Sequence, residues 1–233
     1  MSDPTGGDTH QTSTTASRAI SGGKWTFVTF GGSQLLRFVT NLALARLLLD
    51  ARSDFGVIAV ANSMVQGLQL LSDLGIWVNL VHSPDGEKRQ YLDTIWTIQV
   101  VRGLVLFAIG WALAPVFAGA YPGMPGLEAC LQVSLLGVLA SAFVPTSLLL
   151  AGRNLRLGAV AWVELGSQLV GGLAMVALAP VLQSPMALAV GAPTIAVVRL
   201  LSSWALLGGG NRLCWDREHA AAIFRFGKWV SLS

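Results

Sequence analysis

The most regular feature of the chain is a series of long apolar stretches separated by short polar gaps. Each stretch has about 20 residues or more, which at about 1.5 Å of rise per helical residue is enough to cross about 30 Å of hydrocarbon. This pattern predicts an all-α membrane protein with six transmembrane helices. The predicted helices are Trp25–Leu49, Phe55–Leu80, Ile95–Ala118, Leu127–Leu150, Ala159–Leu182 and Pro185–Leu207.

The basic residues in the gaps predict how these helices are oriented. The gaps on one side of the membrane contain ten of the 15 Lys and Arg residues, whereas those on the other side contain only Arg52. Cytoplasmic loops of membrane proteins carry an excess of Lys and Arg. We therefore expect both ends of this chain to lie in the cytoplasm.

The polar segments divide residues 1–228 into three parts. Residues 1–22 are rich in Ser, Thr and Gly and lack the apolar run of a signal peptide, so we expect a disordered cytoplasmic tail. Residues 23–207 are the predicted six-helix lobe. Residues 208–228 mix charged with apolar side chains, which is typical of an amphipathic linker on the inner leaflet.

A repeated tripeptide indicates how the chain is organised beyond one lobe. Gly-Lys-Trp opens the first apolar stretch at residue 23 and recurs at residue 227, after the length of six helices. Transporters are commonly built from repeated halves. We therefore interpret the sequence as one lobe of a two-lobed transporter, with a seventh helix starting at residues 229–233. Either the chain is truncated there, which we favour, or the other half lies on a separate polypeptide.

Composition excludes several function classes. A chain with 53% hydrophobic and 12% charged residues and a mean hydropathy of +0.62 is not a typical soluble protein. Because its basic residues are explained by topology, the pI near 9.2 predicts no nucleic-acid partner. Phosphate-binding loops and hydrolase motifs are absent, so we expect neither catalysis nor a cofactor. Cys130 and Cys214 fall on opposite sides of the membrane, which argues against a disulfide.

Polar residues align along the first two predicted helices. Asn62, Gln66, Gln69 and Asp73 share one face of the second helix, and Ser33, Arg37 and Asn41 form a similar stripe on the first. Such side chains lack partners in hydrocarbon, so they face either neighbouring helices or a water-filled cavity.

Charged residues also occur inside the predicted helices. Arg37 lies near the centre of the membrane, where an arginine costs about 2.5 kcal/mol or more and commonly marks a pathway. Asp73, Arg102, Glu164 and Arg199 all lie about 10 Å from the cytoplasmic end of their helices. Their common depth predicts ion pairs or a shared polar chamber.

Two prolines interrupt the predicted helices. Pro145 lies in the fourth and Pro193 in the sixth. Proline removes a backbone hydrogen bond and favours a kink. These kinks either shape the helices or act as hinges.

Several short motifs, in this order and spacing, resemble the oligosaccharide flippases of the multidrug/oligosaccharidyl-lipid/polysaccharide exporter superfamily. A Leu-Ala-Arg-Leu-Leu run at residues 44–48 precedes Asp-Phe-Gly at 54–56. The others are Leu-Leu-Ser-Asp-Leu-Gly at 70–75, Leu-Asp-Thr at 92–94, Leu-Ala-Pro at 113–115, Pro-Thr-Ser-Leu-Leu at 145–149 and Val-Glu-Leu at 163–165.

The resemblance implies two six-helix lobes in a V around a central cavity, in the inner membrane of a bacterium. Such a protein moves a lipid-linked oligosaccharide to the outer leaflet by alternating access. Arginines would bind the pyrophosphate of its polyprenyl carrier, and glycan polymerases or glycosyltransferases are possible partners besides membrane lipids. The expected substrate-binding residues are Arg37 first, then Arg102 and Arg199, with Asn41, Gln66, Gln69 and Asp73 along the path of the sugars.

Two other functions stay open from the sequence. One is a cation-coupled drug antiporter of the same superfamily, in which Asp73 or Glu164 would be the coupling acid. The other is a membrane scaffold that transports nothing and recruits glycan-assembly enzymes.

Overall fold

The computed structural model describes residues 8–48, 51–71, 88–154, 156–208 and 210–216. Within these ranges every regular element is an α-helix, as the apolar stretches predict. The elements are α1 (Asp8–Leu47), α2 (Ala51–Leu71), α3 (Arg89–Ala120), α4 (Leu127–Ala142), α5 (Thr146–Arg153), α6 (Leu157–Leu182), α7 (Met186–Ala189) and α8 (Gly191–Leu207).

Three to four of the described elements are long and apolar enough to cross a membrane. They are α3, α6 and the combined α7–α8, with α4 and α5 as a fourth if this bent pair is one span. The apolar stretches of α1 and α2 are interrupted by the polar stripes noted above, and part of the second predicted stretch lies outside the described residues. The membrane character is thus supported, whereas the number of six spans stays a prediction.

Helix α1 starts earlier than the sequence led us to expect. It begins at Asp8 and continues through the residues assigned to a disordered tail. No proline occurs between Pro4 and the apolar stretch. Once a helix has formed, each further residue adds a hydrogen bond at little cost, so a weakly helical sequence can extend it.

The predicted kink at Pro145 is confirmed. Helices α4 and α5 are separated by residues 143–145 and meet at an angle of 67°. Pro193 interrupts its helix more mildly. Because Pro193 has no N–H to donate to the Ala189 carbonyl, the chain makes a turn at Val190, yet Met186–Leu207 still forms one candidate span of 22 residues.

The helices pack through apolar side chains and through close approaches at glycine. α6 contacts α1 and α8, while α4 contacts α2, α3 and α8. A Cβ on Gly103 of α3 would collide with Ala142 of α4, and one on Gly137 would lie 3.0 Å from the Ala192 backbone of α8. Small residues of this kind let membrane helices approach closely, which brings α3, α4 and α8 together.

The structure describes only the first part of the predicted amphipathic linker, which therefore stays a prediction. Residues 210–216, here called the strap, are not helical. The Arg212 and Cys214 backbone N–H groups donate to Asp93 Oδ1 and Thr97 Oγ1 of α3, both at 3.0 Å. These side chains compete with helix formation by taking backbone donors of the strap. Residues 217–228, the rest of the predicted linker, lie outside the described residues.

Candidate functional site

A cavity of about 310 Å³ lies beside the break between α4 and α5. We call it the break cavity. Its walls come from α2, α3, α4, α5 and α8, so five elements distant in sequence converge there. Its polar lining residues are Gln69, Gln99, Arg102, Ser141 and Arg199.

The break in the backbone is stabilised by Gln99. Because Pro145 has no N–H, the Ser141 carbonyl cannot form its usual helical hydrogen bond. The Gln99 amide Nε2 donates to the carbonyls of residues 141, 142 and 144 at 3.4, 3.0 and 3.1 Å. Gln99 of α3 therefore stabilises the non-helical backbone at the end of α4, which forms part of the cavity wall.

The other side of the break is capped by the strap. Asn211 Oδ1 accepts a hydrogen bond from the Thr146 backbone N–H at 3.1 Å, and its Nδ2 donates to Thr146 Oγ1 at 2.6 Å. Ser147 Oγ donates to the carbonyl of Gly208 at 2.8 Å. The first of these bonds satisfies a backbone N–H that the N-terminus of α5 leaves without a helical partner, and the other two tie the side chains of its first turn to the segment after α8.

Arg199 enters the break cavity from α8 and forms an ion pair. Its Nη2 lies 3.4 Å from Glu164 Oε2 of α6, with the two side chains 41% and 26% exposed. The other Glu164 oxygen accepts a hydrogen bond from Gln168 Nε2 at 3.0 Å. The ion pairing expected from their common depth is therefore confirmed for Glu164 and Arg199.

A second cavity, of about 390 Å³, lies between α1 and the start of α6. We call it the α1 cavity. Arg37, which is exposed, lines it together with Gln34 and Ser33. Gln168 Nε2 also donates to Ser33 Oγ at 3.1 Å. A continuous polar chain, Ser33–Gln168–Glu164–Arg199, therefore connects the walls of the two cavities.

The structure brings together only some of the predicted site residues. Gln69, Arg102 and Arg199 share the break cavity, and Arg37 lines the α1 cavity instead. Asn41 and Gln66 are exposed on their helices and line neither cavity. Asp73 lies outside the described residues, so its place in an ion pair or shared polar chamber stays a prediction.

Sequence reasoning missed Gln99 and Ser141 as lining residues. Gln99 precedes Arg102 by three positions, so both lie on the same face of α3. A glutamine three positions before an arginine in a predicted membrane helix was the signal that could have identified Gln99. Ser141 gave none, because its place in the wall depends on where α4 breaks.

The break cavity has the chemistry of an anion site. An arginine offers planar, paired donors that match a phosphate, and two arginines line this cavity. Among the described residues, no group of three or more His, Cys, Asp or Glu side chains could hold a metal ion. The two arginines of the break cavity suit an anionic group.

Comparison with known proteins gives one family match. A family model described as a polysaccharide biosynthesis protein matches residues 43–233. No curated protein matches the chain, and no solved structure does. The matched range contains Gln69, Arg102 and Arg199 of the break cavity, whereas Arg37 and Asn41 precede it.

Proposed function

Because the chain belongs to the polysaccharide biosynthesis protein family, we propose that it is a flippase lobe that moves lipid-linked oligosaccharide precursors of a cell-surface polysaccharide across the membrane. The observation that carries this proposal is the convergence of Arg102 and Arg199, from two separate helices, on one cavity. Charged residues inside a membrane protein are costly and mark substrate pathways.

In this proposal the break cavity binds the pyrophosphate of the polyprenyl carrier. Arg102 and Arg199 donate hydrogen bonds to phosphate oxygens, and Gln69 supports them from α2. Such contacts are stronger in a cavity of low dielectric constant than in water. The size of the cavity, about 310 Å³, suits a headgroup and leaves the oligosaccharide to be bound elsewhere.

The exposed polar residues of α1 and α2 supply the second part of the path. Arg37, Asn41 and Gln66 are exposed although they lie in predicted membrane helices. We place them along a water-filled cavity between this lobe and a second one, where they meet the sugars. Alternating access then changes which leaflet the cavity faces, in the inner membrane of a bacterium with both ends of this chain in the cytoplasm.

The break between α4 and α5 gives the movement a hinge. Its 67° bend forms one wall of the break cavity. Helix breaks absorb backbone changes without unpacking whole helices. A change at this bend would therefore alter the cavity that holds the phosphate.

The drug-antiporter alternative needs an acid that can bind a cation. Among the described residues the candidate is Glu164, whose two oxygens already meet Arg199 and Gln168. A carboxylate with its charge compensated in this way is poorly suited to a second cation. This observation favours the flippase over an antiporter coupled through Glu164, while Asp73, the other candidate acid, lies outside the described residues.

The proposal is tested by measuring translocation of a lipid-pyrophosphate oligosaccharide in membrane vesicles. We expect Arg102→Ala and Arg199→Ala to lower the translocation rate about tenfold or more, because each removes a charge-assisted phosphate contact. Arg46→Ala is the matched control, since Arg46 is exposed near the end of α1 and lines neither cavity. Normal translocation by both cavity variants would overturn the proposal.

A further inference from the structure

Arg199 is held at the break cavity by a contact that an anion could replace. Its ion pair with Glu164 uses only Nη2, at 3.4 Å, which is longer than the 2.7–2.9 Å of a strong charge-assisted hydrogen bond. Its Nε is buried and has no hydrogen-bond partner among the described residues. A buried donor without an acceptor is unfavourable, so an entering acceptor would gain from it.

Glu164 is itself held in a fixed position by Gln168. The Gln168 amide lies one helical turn further along α6 and donates to Glu164 Oε1 at 3.0 Å and to Ser33 Oγ at 3.1 Å. Gln168 is buried, and its own Oε1 has no partner among the described residues. The carboxylate is therefore aligned on Arg199 by an amide that is anchored to α1.

From this geometry we propose that Glu164 is an internal competitor of the substrate phosphate for Arg199, which makes it a positioning residue of the flippase site. Its carboxylate holds the guanidinium at the cavity wall until a phosphate takes its place. The inference rests on the proposed function, because it takes the break cavity to be the phosphate site.

Competition of this kind explains how the site could release its ligand. Two arginines at low dielectric would bind a pyrophosphate strongly, and a transporter must also let its substrate go. When the Glu164 carboxylate binds Arg199 again, it lowers the affinity of the cavity for pyrophosphate and favours release of the substrate. The freed Glu164 carboxylate is still hydrogen-bonded to Gln168, which also donates to Ser33 at the wall of the α1 cavity. Replacement of Glu164 by a phosphate at Arg199 is therefore linked to that cavity through Gln168.

The test measures binding of inorganic pyrophosphate to the full chain purified in detergent, by isothermal titration calorimetry. We expect Glu164→Gln to bind about three to ten times more tightly than the unchanged chain, because the competing charge is gone while the shape is kept. A residue with only a structural role would give weaker binding when changed. Glu164→Asp, with a shorter side chain, should also bind more tightly, and it decides the question if Glu164→Gln fails to fold.

The matched control is Glu128→Gln. Glu128 also accepts a hydrogen bond from a glutamine four residues later, at 3.3 Å, but it is exposed and lies outside the break cavity. The Glu128→Gln variant should bind pyrophosphate with the same affinity as the unchanged chain. In the double variant with Arg199→Ala, the gain from Glu164→Gln should vanish.

The outcomes separate the two proposals. If Arg102→Ala weakens pyrophosphate binding but neither change at Glu164 tightens it, the proposal that Glu164 competes for Arg199 is wrong. The proposed phosphate site is then still supported. If neither the unchanged chain nor any Glu164 variant binds pyrophosphate, the proposed phosphate site fails, and the competitor fails with it.

Discussion

At the scale of single residues, the role of a polar side chain in this protein depends on which groups surround it. Gln99 and Gln132 are both half-buried glutamines, on α3 and α4. The Gln99 amide donates hydrogen bonds to three backbone carbonyls, whereas the Gln132 amide donates to the Glu128 side chain. The first supports a helix end and the second adds a local contact on one helix.

This difference gives a prediction for stability. Gln99→Ala should lower the free energy of unfolding by about 1–3 kcal/mol, because it removes the donor of the Ala142 and Val144 carbonyls at the break. Gln132→Ala should lower it by less than about 0.5 kcal/mol. Thermal unfolding of the purified chain in detergent measures both, and equal losses would contradict the role given to Gln99.

The sequence revealed part of the candidate site. Arg102 and Arg199 were predicted because counting residues along the predicted helices gave them a common depth, and both line the break cavity. The same count could not show that Arg37 lines a different cavity. Counting residues gives the depth of a side chain, but it does not show which neighbouring helix that side chain faces. Gln99 was missed because its partners are carbonyls that become available only when α4 breaks.

At the scale of elements, the unusual helix is α5. It has eight residues and begins after Pro145 at a 67° bend. A helix this short is marginal alone, so its first turn depends on outside partners. Asn211 of the strap supplies them by bonding both the backbone N–H and the hydroxyl of Thr146.

The cap can be removed by one substitution. Asn211→Ala should lower the free energy of unfolding by about 1 kcal/mol, as loss of a helix cap usually does. Asn154→Ala is the matched control, because Asn154 is exposed at the opposite end of the same helix. Thermal unfolding again provides the measurement, and a loss no larger than that of the control would show that the strap does not hold α5.

The elements show why sequence predicted the helices better than the connections. The kink at Pro145 follows from a missing N–H, which is a local property. The strap is not local, since Arg212 and Cys214 find their acceptors on α3, more than 100 positions earlier in the chain. The mixture of apolar and charged side chains in residues 208–228 carries no information about those acceptors.

At the scale of the whole molecule, the orientation in the membrane can be tested with the two native cysteines. Both thiols are free; Cys130 is buried, while Cys214 of the strap is partly accessible. If the strap is cytoplasmic, a membrane-impermeant maleimide should label Cys214 in inverted vesicles and leave it unlabelled in intact cells. Cys214→Ser should abolish the labelling, and labelling in intact cells would contradict the orientation predicted from the basic residues.

The cap on α5 also has a consequence for biosynthesis. Asn211 is 65 positions after Thr146, so the ribosome releases α5 long before its cap exists. During that interval the bend between α4 and α5 lacks one of its two supports. The wall of the break cavity can therefore reach its final form only after α6, α7 and α8 have been synthesised, which makes this cavity one of the last parts of the described helices to be completed.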